Sequence, residues 1–523
     1  MNAPSTTSFH GGLVLPEHKD ASTRRPIQRS ALPERLILPL QQHTGTCAQA
    51  RVKPGQRVLK NTCLADADAL LSAPLHAPTS GVVRGIEVRP IPHPGGLKAP
   101  CIILEPDGED EALAPFRCPD PLTRDPGVVA DCIRKAGIVG LGGAVFPTHA
   151  KIHGATDDPC LHTLVINGAE CEPYITCDDL LMREFAHHIV SGIHILLHTI
   201  SASKALIGIE ANKPEAIAAM QAATDAAHLG SLLEIVTVPT MYPSGGEYQL
   251  IKRLTGEEVP AGGRPPDIGI VCVNVGTAAA VHQALREGTP LTHRVVTLTG
   301  SGLRDPMNLL APIGAPIVDL IRTAGGYAGP VARLIMGGPM MGVTLPSDEM
   351  PLVKSGNCII AAGPRELAQS GPAMPCIRCG DCASVCPMEL LPQQLFWFAQ
   401  AKDFKKAEDH QLFNCIECGA CAYVCPSHIP LVDYYRYAKS EIRAAQQAAD
   451  KADKARRRFE ARNLRLQREK IEKAAQRQAA RKKDDRQAKI AAAVARTKTK
   501  KAAHSSTRHY SGVHPDGIRY PQC

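Results

Sequence analysis

Short apolar runs recur along the middle of the chain, separated by longer amphipathic stretches. The runs Leu161–Ile166, Ala205–Ile209, Leu233–Val238 and Ile268–Val275 have the length of buried strands. Between them Asp178–Ile200, Lys213–Ala227 and Glu247–Leu254 read as helices. Such alternation predicts a parallel sheet covered by helices. Before it, residues 1 to about 115 are rich in Pro, Gly, Val and Ile, and the segments 52–58 and 73–83 read as short strands and turns. After it, a strand at Arg294–Thr299, a helix at Ile317–Thr323 and a strand at Ala332–Met336 predict a small α+β module. Leu391, Leu395, Trp397, Phe398 and Ala401 fall near helical spacing. From about Ser440 to Ala503 the chain is Ala, Lys, Arg, Gln and Glu with a thin apolar stripe, which predicts a long solvated helix or a disordered arm. The last residues, 505–523, read as unstructured.

Length and charge sharpen this division. At 523 residues the chain exceeds what one core supports, so several domains are expected. No apolar stretch has the length of a spanning helix, and residues 1–8 lack a signal-peptide core, so a cytoplasmic setting is expected. The net charge of +8 conceals an asymmetry: residues 451–510 carry 21 Lys and Arg against 6 Asp and Glu, so the remainder is net acidic. Contact of this tail with anionic lipid is one expectation. Nucleic-acid binding is not expected, since no aromatic residues interleave the cations.

Nineteen cysteines in a long chain without an export signal favour metal ligation over disulfides. Eight form two matching runs, each with gaps of two, two and three residues. Cys376, Cys379, Cys382 and Cys386 precede Pro387; Cys415, Cys418, Cys421 and Cys425 precede Pro426. Three closely spaced cysteines wrap one face of a cubane, and in the bacterial two-cluster arrangement the fourth serves the other cluster. One [4Fe-4S] cluster is therefore expected on Cys376, Cys379, Cys382 and Cys425, the other on Cys415, Cys418, Cys421 and Cys386. Zinc sites pair cysteines across a longer gap and fit these runs poorly.

A glycine-rich loop, Gly137 to Lys151, precedes a strand and the segment Asn167-Gly168-Ala169-Glu170-Cys171-Glu172-Pro173. Such a loop lets backbone approach a flat ring or a phosphate, and a nearby lysine can meet the phosphate. The histidines His187, His188, His194 and His198 share one predicted helix; His194 and His198 are four apart, but no Glu lies between them, and they read as ordinary helix histidines.

The order of the glycine loop, the acidic segment, Ser244-Gly245-Gly246-Glu247 and Asn274-Val275-Gly276-Thr277 resembles the flavin- and NADH-binding subunit of respiratory complex I. The segment Gly337-Gly338-Pro339-Met340-Met341-Gly342 lies in a module that resembles its β-grasp (SLBB) domain. The N-terminal spacing resembles the barrel-sandwich fold of biotinyl and lipoyl domains, without a carrier lysine in residues 72–80. With Phe9-His10-Gly11-Gly12, Pro16-Glu17-His18-Lys19, His76 to Gly81 and both cysteine runs, residues 9–440 resemble the RnfC/RsxC family of the Rnf/Rsx electron transport complex.

The resemblance implies a multidomain α/β chain. Residues 1–115 would form the barrel sandwich, 116–290 a Rossmann-like FMN/NADH domain, 291–345 the β-grasp module, 346–440 a helical two-cluster ferredoxin domain, and 441–523 the basic tail. It implies that Gly140, Gly142, Gly143, Lys151, Asn167, Glu170, Asn274 and Thr277 contact FMN, and that Phe146, Glu172 and Glu247 face the nicotinamide dinucleotide. Val145 stands where the family pattern has Gly, and Ala169 and Gly246 where complex I has acids. Flavin accepts two electrons and releases them singly, so the implied role is electron input from NADH towards ferredoxin or another acceptor. The implied setting is the cytoplasmic side of the inner membrane, peripheral to integral and iron–sulfur/flavin subunits that translocate an ion. A soluble flavin reductase of the cobalamin-reductase kind and a flavin-free relay are the competing expectations.

Overall fold

The computed structural model describes residues 8–93, 95–115, 118–156, 161–367 and 371–505. It divides into two units, residues 1–439 and 440–523.

The N-terminal part of the first unit contains two small antiparallel sheets. One has the order Leu36–Pro39, Lys98–Pro106, Gly81–Pro90, Arg57–Val58; the other is Gln49–Ala50, Cys63–Asp66, Leu75–His76. Leu36, Leu38, Leu64, Val83, Ile102 and Leu104 are fully buried among them. In the segment 52–58, read as strand and turn, Gly55 at φ 84° makes the turn and Arg57–Val58 the strand. The segment 73–83, read as short strands and turns, holds Leu75–His76 and the start of Gly81–Pro90, parted by Pro78 and its neighbours.

The middle of the chain forms a four-stranded parallel sheet in the order Leu233–Val238, Lys204–Glu210, Thr163–Gly168, Ile270–Asn274. Its strands are nearly continuous apolar runs because helices cover both faces. The helix Ala186–Ile200 packs on Val275–His282 so closely that a Cβ on Gly192 would lie 2.6 Å from the Ala278 carbonyl carbon. The single helix expected at Asp178–Ile200 is two helices, Cys177–Glu184 and Ala186–Ile200, interrupted at Phe185 (φ −123°, ψ 30°). No Gly or Pro marks that break. It lets Glu184 accept the Ile27 backbone N–H at 2.8 Å, a contact 157 residues away.

A six-stranded mixed sheet follows, in the order Gln28–Arg29, Met307–Pro312, His293–Thr299, Cys358–Ala362, Arg333–Met336, Val343–Leu345. Two of these strands come from outside the span expected for the module. Cys358–Ala362 sits centrally with all five residues buried, so this sheet runs past the boundary expected at 345. Its partners lie far away in sequence, and so short a run carries no period of its own.

The cysteine-rich region is built of short helices, Asp381–Ser384, Pro392–Gln400, Phe404–Asp409 and Ala420–Tyr423, and the first turns of Leu431–Ser505. Pro392 occupies the first turn of its helix, where a missing N–H costs nothing.

In the second unit the long helix continues to Ser505 and is almost wholly exposed. Phe459, Leu464, Ile471, Ile490 and Val494 are all exposed by about half or more, so the helix has no buried seam. Pairs such as Arg456–Asp453 (3.1 Å) and Arg465–Glu469 (3.6 Å) support it locally. Residues 506–523, expected to be unstructured, lie outside the described residues. Among the described residues no helix is long and apolar enough to cross a membrane.

Candidate functional site

In the parallel sheet the chain runs outward from Thr163–Gly168 in one direction and returns to its other side as Ile270–Asn274. The crevice beyond the carboxyl ends of these two strands is therefore the switch point where ligands bind in open α/β sheets. Asn167 and Asn274 are register partners at that edge. The Asn274 side chain caps Val275–His282 by accepting the Gly276 N–H at 2.8 Å, and its Nδ2 donates to Asp178 Oδ2 at 2.7 Å. Asn167 donates to the Gly245 carbonyl at 2.8 Å.

The glycine loop closes over this edge. Gly140 N–H donates to the Phe146 carbonyl at 2.9 Å, forming a tight loop. Leu141 N–H donates to Thr277 Oγ1 at 2.9 Å, and the buried Arg294 donates to the Leu141 carbonyl at 3.3 Å. Thr44, from the N-terminal sheets, donates to the Ala144 and Val145 carbonyls. Gly142 lies against the Asn274 side chain, whereas a Cβ on Gly143 would meet nothing within 4 Å. Gly142 to Ala144 thus present bare, exposed backbone towards the crevice. Val145 is held at φ 44°, a left-handed conformation costly for a β-branched residue.

The charged residues divide their attention. Lys151 donates to Glu247 Oε1 at 2.6 Å, so a residue expected to meet FMN and one expected to face the dinucleotide are joined. Burial pulls the Lys151 ammonium down, but Glu247 outweighs it and leaves Lys151 raised. Glu170 accepts the Asp178 and Asp179 N–H groups and caps Cys177–Glu184. Glu172 accepts the Met340 and Met341 N–H groups at 3.1 and 2.9 Å, so it is committed to the loop of the mixed sheet. Burial pushes Glu172 up to about 7 against those two donors. Phe146 is half-buried beside the loop.

Asp178 was not anticipated. Burial first, and then repulsion from Glu170, raise it to about 7 beside Asn274. An acid in the first turn of a helix reads as a dipole partner, which hid it. Lys19 was seen only as part of a motif. Its Nζ donates to the carbonyls of Glu170, Glu172 and Ile175 at 2.9, 3.0 and 2.5 Å, which shapes the whole acidic segment.

The eight cysteines form two groups, and each group draws on both runs. Cys376, Cys379, Cys382 and Cys425 line one cavity. Cys415, Cys418, Cys421 and Cys386 line the other. Each cavity thus has three thiols from one run and the fourth from its partner, the donor set a cubane requires. Leu390 N–H points at Cys386 Sγ (3.4 Å), Glu417 N–H at Cys415 Sγ (3.4 Å) and Gln393 at Cys376 Sγ (3.6 Å), as expected around cluster sulfurs. Cys386, Cys418 and Cys421 are buried, whereas Cys379 is exposed. Burial raises the Cys418 thiol to about 12, a cost that ligation of a metal would remove.

The buried group backs onto the α/β body. Tyr242 donates to the Cys418 carbonyl at 2.5 Å, and Gln249 to the Pro387 carbonyl at 3.2 Å. Gly12 N–H donates to the Val385 carbonyl at 3.1 Å, and a Cβ on Gly11 would lie 2.6 Å from the Val385 carbonyl carbon. The Phe9 to Gly12 segment is therefore a wedge between the two regions.

A parallel α/β body with a backbone-lined crevice, joined to two crossed cysteine quartets, is the architecture of a protein that can hold a flat cofactor beside two iron–sulfur clusters. Family models agree region by region: the RnfC barrel sandwich hybrid domain at residues 7–109, the Nuo51 FMN-binding domain at 133–283, the SLBB domain at 295–344 and the 4Fe-4S dicluster domain at 375–429. The RnfC component of the ion-translocating oxidoreductase complex of Pseudomonas aeruginosa is 52% identical over 469 residues, which cover 90% of this chain and 60% of that protein. The component of the same name from Yersinia pestis bv. Antiqua is 48% identical over 466 residues, covering 88% and 74%. The chain belongs to the RnfC family of ion-translocating oxidoreductase complexes. It spans 60% and 66% of the length of the Pseudomonas aeruginosa and Yersinia pseudotuberculosis relatives. An NAD+-reducing [NiFe]-hydrogenase structure matches at 18% identity with a TM-score of 0.45, over 60% of this chain and 63% of that one.

Proposed function

We propose that this chain is the electron-input subunit of a membrane-bound, ion-translocating oxidoreductase. It would take electrons from NADH through FMN and pass them over two [4Fe-4S] clusters. The observation that carries this is the double contact of one helix turn. Glu247, at the start of Glu247–Thr255, holds the glycine-loop Lys151, and Gln249 holds the turn after Cys386. Two residues, about 3 Å of helix rise, join the crevice to the buried cysteine quartet.

The residues present suit FMN. Gly142 and Gly143 would lie under its flat ring, and Asn167, Asn274 and Thr277 would fix the crevice that receives it. Lys151 would meet its phosphate. Glu172 and Phe146 would border the dinucleotide, with Glu172 acting through the Met340–Met341 loop. When bound, FMN supplies the conversion from two-electron to one-electron transfer. This chain's residues place it, exclude water and hold the clusters nearby. The quartet of Cys386, Cys415, Cys418 and Cys421 would receive electrons first, because it is buried against the body. The more exposed quartet around Cys379 would pass them to ferredoxin or another subunit.

The Rossmann-like character of the sheet and a peripheral place on the cytoplasmic face of the inner membrane belong to the same reading. So does contact of the basic helix with anionic lipid. The test is fractionation: the chain should pellet with washed membranes when its partner subunits are present. A chain that stays soluble and reduces an acceptor unaided would favour the soluble reductase instead.

A further inference from the structure

The buried quartet is held by two side chains that donate to backbone carbonyls of its ligand residues. Lys439 belongs to the first turns of Leu431–Ser505 and is 5% exposed. One turn before it, the buried Tyr435 donates to the Pro392 carbonyl at 2.6 Å, which fixes that helix face against the cysteine-rich region. Lys439 Nζ donates to the Cys415 carbonyl at 2.6 Å and to Glu417 Oε1 at 2.8 Å. Tyr242, from the α/β body, is 2% exposed and donates its hydroxyl to the Cys418 carbonyl. Its own N–H and carbonyl are both paired with Leu13, at 2.8 and 2.7 Å, so its backbone is pinned.

The other charges beside Lys439 are Glu417, Arg436 and Asp433. Glu417 Oε2 accepts Arg436 Nε at 2.9 Å. Asp433 lies 3.8 Å from Arg436 and its side chain is 74% exposed, so water and salt screen it. The other quartet is built differently. Cys379 is exposed, so water can stabilise charge there, whereas Cys386, Cys418 and Cys421 are buried. Reduction adds a negative charge to a cluster that its thiolates already make anionic. Burial disfavours that step, and nearby cations and hydrogen-bond donors favour it.

We propose that Lys439 and Tyr242 set the reduction potential of the cluster on Cys386, Cys415, Cys418 and Cys421, offsetting its burial. The inference rests on the reading that the two quartets hold clusters. Lys439 brings a full charge beside Cys415. Tyr242 brings only a dipole beside Cys418 and is the weaker of the two. Both are positioning residues: neither ligates iron, and no bond forms or breaks when the cluster takes its electron.

The test uses the full chain, purified anaerobically with both clusters reconstituted. Redox titration followed by electron paramagnetic resonance gives a midpoint for each cluster, and the signal missing from Cys386→Ser identifies the second-run cluster. Tyr242→Phe removes only the hydroxyl. It should make reduction of that cluster up to about tenfold harder, a fall of about 59 mV for a one-electron couple. Lys439→Gln should lower the midpoint further, and Lys439→Arg, which keeps the charge, should restore most of it. Iron content and the first-run midpoint should hold in each variant, because a merely structural role would lose the cluster without moving its midpoint. If Lys439→Gln loses the cluster, Tyr242→Phe decides alone. A second-run midpoint unmoved by Tyr242→Phe, or two midpoints that move together, would overturn the proposal. A wild-type chain that takes up no clusters would instead overturn the reading beneath it.

Discussion

Replacing Gly192 with Ala tests how tightly the crevice depends on one helix contact. In an exposed helix this change stabilises by about 1 kcal/mol, since Ala restricts the unfolded chain and favours the helix. Here the added methyl would lie 2.6 Å from the Ala278 carbonyl carbon and 3.3 Å from its Cα, and both atoms are backbone. No rotamer change can relieve that clash. Overpacking of this kind costs about 1–3 kcal/mol, occasionally more, which outweighs the propensity gain. A clash with backbone this close puts the cost at the upper end of that range, so net destabilisation of up to about 2 kcal/mol is expected, together with an outward shift of Val275–His282. The same shift would draw Thr277 Oγ1 off the Leu141 N–H and Asn274 off Asp178, loosening the glycine loop. The assay is a thermal midpoint paired with equilibrium dialysis of FMN. Both midpoint and FMN affinity should fall. A raised midpoint with unchanged FMN binding would refute the argument.

Other substitutions probe separate links. Cys386→Ser should destroy the cluster of the second run and spare that of the first, seen as loss of about half the cluster iron by Mössbauer spectroscopy; loss of the first-run cluster would contradict the crossed assignment. Glu172 is raised from its ordinary 4.5 to about 7, so the native state holds that proton more tightly than the unfolded chain. Its contribution is fully present below about pH 4.5 and is lost as pH rises to about 7, up to about 3 kcal/mol at 1.4 kcal/mol per unit. Glu172→Gln should flatten that part of the pH–stability curve, and an unchanged curve would count against it. Val145→Gly should relieve the left-handed strain, raise stability by about 1 kcal/mol and strengthen FMN binding; a lower melting midpoint would count against it.

The features visible in the sequence were those encoded over a few residues. Cys376 to Cys386 and Cys415 to Cys425 declare themselves by spacing alone, because the ligand loop is local. The strands of the parallel sheet are readable because burial on both faces makes each a solid apolar run. What escaped was set by distant contacts. Cys358–Ala362 is a strand only because His293–Thr299 and Arg333–Met336 flank it. The break at Phe185 answers to Ile27. Asp178 looks like an ordinary helix-start acid until Asn274 comes up against it, and Glu172, expected to face the dinucleotide, gave no sign of its hold on the Met340–Met341 loop. The glycine loop was legible as a loop, but its pinning by Thr277, Arg294 and Thr44 was not.

The central claim is that a flavin in the crevice feeds two crossed clusters. It is met most directly by purifying the full chain anaerobically, reconstituting both clusters, extracting bound flavin with acid and titrating with NADH. The account predicts about one FMN per chain and bleaching of flavin and iron–sulfur absorbance by NADH. Intact clusters with no retained flavin and no bleaching would contradict it.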